Sequence, residues 1–467
     1  MTVPRSRLIL LVSAMLLAGA LLSIRFISAG FDPMIETEDH PVMALTGLLI
    51  LAGTAWFILL LLMRRTQAFP KWGLPVLILG GLILRLGFFG SQPIYENDYK
   101  RYLWDGAVTA QGENPYIFTP EEIFDASAPG TASVPDLATL AVLSNEADGL
   151  TGEINSPHLT TIYPPFAQAV FASAYWIAPY NPDGLRGVFL IFEMLGFAVL
   201  LLALKQFGMP LIWSSLYWLN PIIILTSYNA IHMDVLLTLP LLLAVLTLKA
   251  RPWIAAIALS AAAAIKLWPL LLAPVLFRSW FKRPALYIGI AALVAVLTGL
   301  SLLPMLLSLN DQAGLAAYSA NWTNSSFLFP GLREALGFFV DDPNRIARYV
   351  IALILVGLSL YLGFSTSRSE KKLPFDLMAL SAAFVLLSPT GYPWYFIWFF
   401  MFLPFAVQSW MARGLGLLTI GATAYYVRFL LGETDRYEIY ETILLPLEFG
   451  TALLVLAYDG WKERRYA

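Results

Sequence analysis

Apolar residues recur along this chain in stretches near twenty positions long, separated by short polar breaks, and that pattern predicts helices crossing a bilayer. About 20 apolar residues in a helix reach across the ~30 Å of hydrocarbon in a membrane. The expected spans are 8–29, 42–63, 73–90, 163–179, 186–204, 210–227, 234–249, 252–277, 284–307, 347–364, 374–389, 393–411, 414–431 and 441–458. The expected fold class is therefore all-α, a polytopic membrane helical bundle of about fourteen transmembrane helices in a single domain over residues 1–467, with a long first external loop carrying short helices. Two longer polar stretches, 91–161 and 308–346, interrupt the apolar pattern. The later part of the first, rich in Ala, Pro, Thr and Gly, reads as irregular surface coil whose acids are solvated charge.

Short cytoplasmic loops collect Lys and Arg. Arg64, Arg65 and Lys71, then Arg278, Lys282 and Arg283, then Arg368, Lys371 and Lys372, and last Lys462, Arg464 and Arg465 mark the inner side. Both termini then lie inside and both long polar loops outside. Arg5 and Arg7 ahead of an apolar run have the look of a signal peptide, but Arg25 and the apolar continuation to Gly30 favour an uncleaved first span. This assignment strands Lys249 and Arg251 outside. The region from Met209 to Phe277 is therefore expected to hold a re-entrant or broken element.

Composition agrees with the class, at 58% hydrophobic and 13% charged residues, and narrows the function. A net charge of -2 without a basic face excludes nucleic acid as a partner. The absence of cysteine removes disulfides and thiolate chemistry, and three histidines argue against a His-rich metal site. No cofactor and no metal are expected. There is no glycine-rich phosphate loop, which argues against a cytosolic nucleotide site.

Candidate chemistry concentrates where the first polar loop opens, in Tyr95-Glu-Asn-Asp-Tyr-Lys-Arg-Tyr-Leu-Trp-Asp-Gly106. If this run is helical, Asp98, Tyr102 and Asp105 share a face with Arg101 alongside, because residues three, four and seven apart are neighbours. Two readings stay open: an aromatic belt at headgroup depth, or a reactive carboxylate cluster. The turn-forming Gly112-Glu-Asn-Pro-Tyr116 and Ile162-Tyr-Pro-Pro165 favour the second. Lys266 interrupts an apolar stretch, which calls for a partner or a wet cavity unless its stem snorkels to an interface. Arg428 and Arg85 sit near the ends of their spans and have the same alternative. His232 and Asp234 occupy a polar break that the topology puts on the cytoplasmic side, either as an ordinary turn or because the topology fails there. Two possible ligands without a third make a weak metal signal. In the second loop Tyr318, Trp322, Asn324 and Phe327 are candidates for a rim, with plain interfacial anchoring as the alternative. Asn321 and Asn324 are formal glycosylation sequons.

The first motif, followed in order by Tyr163-Pro-Pro165, Asn220-Pro221, Tyr228-Asn229, His232-Met-Asp234, Ala264-Ile-Lys-Leu-Trp-Pro269, Tyr318, Trp322, Asn324 and Pro393-Trp-Tyr395, resembles the polyprenyl-phosphate-dependent mannosyltransferases of the GT-C superfamily over about residues 85–410. The resemblance implies an integral membrane glycosyltransferase moving a mannose-like hexose from a polyprenyl-phosphate donor to a lipid or glycan acceptor. It implies Asp98 as the general base, with an ion pair to Arg101 as the structural alternative, and Glu96 as the second choice. Arg101, Tyr102, Asp105, Lys266, Tyr318, Trp322, Asn324, Tyr392 and Arg428 are the residues expected to bind substrate. Relatives commonly carry His before the Pro-Trp-Tyr, where this chain has Tyr392, a hydrogen-bond donor without positive charge. The expected setting is a bacterial inner membrane, with membrane lipids around the protein and the site facing the periplasm. A flippase or permease would show a two-fold repeat, and none is visible; a glycan ligase or polymerase shares the fold.

Overall fold

The computed structural model describes residues 3–65, 72–127, 135–310, 312–365, 369–431 and 438–466. Lys71 and Arg368, used above for orientation, lie outside the described residues, as do the side chains of Arg5 and Arg7. Helices account for the described architecture, which contains no strand beyond one isolated bridge between Asn324 and Thr390. The chain opens with α1 (Val3–Ile27), α2 (Val42–Met63) and α3 (Gly73–Leu86), continues through α4 (Asp98–Ala110), α5 (Pro120–Ala126) and α6 (Pro135–Glu146), and returns to long apolar helices with α7 (Pro165–Ile177) and α8 (Pro182–Gln206).

By length and composition, six helices among the described residues are able to cross a membrane: Leu8–Phe31, Val42–Met63, Pro182–Gln206, Pro284–Leu307, Pro343–Phe364 and Tyr440–Arg465. A bent pair, Pro221–Asn229 with Met233–Thr247, makes up to seven. The expectation of about fourteen is not met by this measure, because several apolar stretches are segmented. The stretch 252–277 divides into Pro252–Ala263, Trp268–Leu272 and Ala273–Leu276. Pro269 and Pro274 explain the division, since proline removes a helical hydrogen bond and crowds the preceding turn. Gly73–Leu86 and Pro393–Phe405 are likewise apolar but short.

The broken element expected between Met209 and Phe277 is the bent pair itself. Asn220 caps the first half through its side chain, which accepts from the backbone of Ile222 and Ile223, and Pro221 follows at the first helical position. That half ends in a π-turn over Leu225–Asn229. The two halves meet at 114°, and Ile231 at the break has φ +60°, a strained conformation for a β-branched residue. Arg186 of α8 fastens the break, donating to the carbonyls of Tyr228 and Asn229 and to Ser91.

The segment 91–161 carries the short helices expected of it, and they extend further than its composition suggests. Its later part, expected to be coil, contains α5 and α6. Thr119 and Glu122 form a capping box at the start of α5, each bonding the other's backbone. Leu137, Leu140, Ala141 and Leu143 of α6 pack with Trp104, Ala107, Val108 and Ile123 in a separate apolar cluster. The segment is joined to the bundle where α4 crosses α7 at Gly106: a Cβ there would lie 2.5 Å from the Phe171 carbonyl oxygen, so only glycine permits the approach. Tyr102, one turn earlier, stacks on Phe171 at 4.6 Å.

Candidate active site

Beside α4 lies a cavity of about 1010 Å³ whose walls come from every quarter of the chain. The start of α4 supplies Asp98 at its first helical turn, where an N-terminal carboxylate is favoured by the helix dipole. Tyr95 precedes it with φ +57°, stacked face to face on Phe429 at 3.8 Å and bonded through its hydroxyl to His40 at 3.1 Å. This fixed turn directs Glu96 and Asp98 to the same wall.

The two carboxylates flank one imidazole. His232 Nε2 is 3.5 Å from Glu96 and Nδ1 is 3.8 Å from Asp98, while the ring lies flat on Trp394 at 3.7 Å. Glu96 also accepts a 2.7 Å hydrogen bond from the Tyr425 hydroxyl. Asp98 has about a third of its side chain open, 34%, against 8% for Glu96 and 1% for His232. Asp98 is the member of the trio that a substrate can reach. Burial in the cavity wall raises its carboxyl above the usual range; His232, Lys266 and Asn155 oppose that shift and Glu96 adds to it. A raised carboxyl is a stronger base once ionised.

The residues around the broken pair correct the topology drawn from charges. His232 and Asp234 were assigned to the cytoplasmic side, remote from the loop carrying Glu96 and Asp98, yet all four share this site. The bend explains the difference, because a helix pair folded back at 114° returns its polar break to the wall it left. Two apolar runs separated by a polar turn look identical in sequence whether they cross or turn back.

Lys266 enters from the end of Pro252–Ala263 and has found its partner. Its Nζ is 2.7 Å from Asp234, which also accepts from the Trp398 indole at 2.7 Å. The ammonium lies 4.5 Å from the Tyr395 ring and 5.1 Å from that of Trp398. Arg428 approaches from the other side, donating to Asn324 at 3.3 Å with its guanidinium over Tyr425 at 3.9 Å and Phe429 at 4.9 Å. Its buried Nε has no hydrogen-bond partner. Aromatic faces complete the lining: Tyr392 stacks on Trp394 at 4.3 Å, Tyr318 on Trp322 at 5.8 Å, and the Tyr318 and Tyr395 hydroxyls are 2.8 Å apart.

Glu96, Asp98, Arg101, Tyr102, Lys266, Tyr318, Trp322, Asn324, Tyr392 and Arg428 all line this cavity; Asp105 does not. Although it shares the α4 face, Asp105 is 1% exposed and accepts from Thr161 at 2.5 Å and Gln168 at 3.1 Å, joining α4 to the start of α7. Arg101 does not turn to Asp98 but donates to the carbonyls of Asn155, Ser156 and Leu159. Arg85, considered for the same positive role, is fully buried away from the cavity and pairs with Glu193 at 2.6 Å. Sequence reasoning missed His40, Trp394, Trp398 and Tyr425. Among the described residues no three of His, Cys, Asp and Glu group as ligands for a metal ion.

A pocket with ionisable groups on two walls and stacked aromatic rings suits a sugar carried on a charged group. Residues 161–389 match the model of glycosyltransferase family 87. The match indicates glycosyltransferase activity, and together with the apolar helices it indicates a membrane protein. No curated protein and no solved structure matches the chain. The matched stretch holds His232, Asp234, Lys266, Tyr318, Trp322 and Asn324, and the adjoining chain on both sides supplies Glu96, Asp98, Tyr392, Tyr425 and Arg428.

Proposed function

We propose that the chain transfers a mannose-like hexose from a polyprenyl-phosphate donor to a hydroxyl of a lipid or glycan acceptor, at the outer face of a bacterial inner membrane. The observation that carries this reading is the position of Asp98, a partly open carboxylate at the rim of a cavity that also holds Lys266 and Arg428. Asp98 takes the proton of the acceptor hydroxyl as its oxygen attacks the anomeric carbon. The bond from that carbon to the phosphate oxygen breaks, and its electron pair leaves with the lipid phosphate. Arg428 has donors to give such an oxygen, with an Nε that has no hydrogen-bond partner among the described residues. Arginine suits phosphate in two-point contact, and lysine acts on it as a point charge. Tyr318, Trp322 and Tyr392 offer ring faces to the sugar, while Trp394 is sandwiched between Tyr392 and His232.

Reconstituted transfer from labelled polyprenyl-phosphate sugars, comparing wild type with Asp98→Asn, tests the reading. Loss of a general base slows the chemical step by ~10²- to 10⁴-fold, and a fall of that size is expected. Retained transfer in Asp98→Asn removes Asp98 as the base. Failure of the wild type to use any such donor favours a transporter instead.

A further inference from the structure

His232 is buried, titratable and flanked on both ring nitrogens, yet the chemistry above gives it no task. Its ring plane is fixed by Trp394, its backbone amide donates to the Thr226 carbonyl at 2.8 Å, and both ring nitrogens lack a hydrogen bond while each faces a carboxylate. The strained Ile231 immediately precedes it. A packing residue at this position needs neither the imidazole nor the strain. A carboxylate pair in a cavity wall does need a positive charge between its members, because like charges side by side disfavour ionisation.

We infer that His232 is a positioning residue for the proposed transfer, a fixed ring between Glu96 and Asp98 whose charged form supports the ionised Asp98 before the acceptor hydroxyl. This rests on the reading of Asp98 as the base. The groups facing His232 are Glu96 from the turn before α4, Asp98 from α4 itself and the Trp394 ring. Beyond them, Tyr425 donates to the far oxygen of Glu96, and Lys266 with Asp234 stands in the same wall. Lys266 is already engaged by Asp234, so the imidazole is the basic group left facing Asp98 at close range. The arrangement makes the trio one electrostatic unit, in which neutralising either neighbour of Asp98 changes its proton affinity in opposite directions.

The experiment is the pH dependence of kcat/KM for transfer by reconstituted wild-type protein, His232→Gln and Glu96→Gln. Glutamine preserves size and hydrogen bonding at either position but carries no charge. His232→Gln is expected to move the acid limb of the profile upward by about one pH unit, a ~10-fold loss on the acid side that is recovered at higher pH. Glu96→Gln is expected to move the limb downward. An acid limb unmoved in His232→Gln, with transfer intact, overturns the inference and leaves Asp98 as the base. If His232→Gln does not fold, Glu96→Gln decides: a limb that stays or rises overturns it. Failure of the underlying reading shows separately, as transfer retained by Asp98→Asn.

Discussion

Replacing Lys266 with Met separates what its ammonium does for the fold from what it does for the reaction. The pair with Asp234 is largely withdrawn from solvent, with 19% of the Lys266 side chain exposed and 3% of Asp234. Removing one member of a buried pair costs about 3–5 kcal/mol, since the other charge stays buried without compensation. Residual exposure of Lys266 and the remaining Trp398 hydrogen bond soften this to just below that range, ~2–3 kcal/mol. Lys266→Met alone is therefore expected to lower the melting temperature in detergent measurably. The double change Lys266→Met with Asp234→Asn removes the stranded charge and restores most of the loss. Transfer is expected to stay low in both proteins: an ammonium on the leaving phosphate contributes ~1.5–3 kcal/mol as a charge-assisted contact, roughly 10- to 150-fold in rate. Wild-type transfer rates in the double mutant would refute a role for Lys266 beyond holding Asp234 in place. An unchanged melting temperature in the single mutant would refute the structural half.

Two further outcomes follow from particular contacts. Burial raises the Asp98 carboxyl above its ordinary value of 3.8, so the base is lost as pH falls through the raised value, and kcat/KM measured against pH should drop there. The same shift acts on stability with opposite sign: a carboxyl raised in the folded state favours folding when protonated, and that contribution fades as pH rises through the raised value. Melting curves of wild type and Asp98→Asn across this window should converge at low pH and separate above it, with the mutant the more stable. Gly106→Ala places a methyl against the Phe171 carbonyl, and the resulting displacement of α4 from α7 should cost about 1–3 kcal/mol, read as a lowered melting temperature.

The sequence disclosed the helical class, the α4 register and ten of the residues that line the cavity, for reasons visible in single residues. Tyr102 and Asp98 fall where a 3.6-residue period puts them, and Lys266 announced a polar environment by standing alone among apolar neighbours. What stayed hidden depended on backbone direction over longer range. The 114° bend leaves the hydropathy of its two halves unchanged, so His232 and Asp234 were assigned to the wrong wall. Asp105 was grouped with Asp98 because periodicity orders residues around a helix without saying where along it the cavity stops. The capping box of Thr119 and Glu122 was legible and overlooked, its local signal outweighed by the Ala, Pro and Thr around it.

The hydrogen bond from Tyr425 to Glu96 spans 329 positions of chain, and it has a consequence for biosynthesis. A ribosome delivers the acidic turn 329 residues ahead of the tyrosine, which has Arg428 beside it. Until the helices carrying Tyr425 and Arg428 insert, the nascent polypeptide holds its carboxylates without the wall that faces them. The enclosed site thus forms only once chain far beyond the acidic turn has been made, so its two walls are joined by assembly and not by local folding.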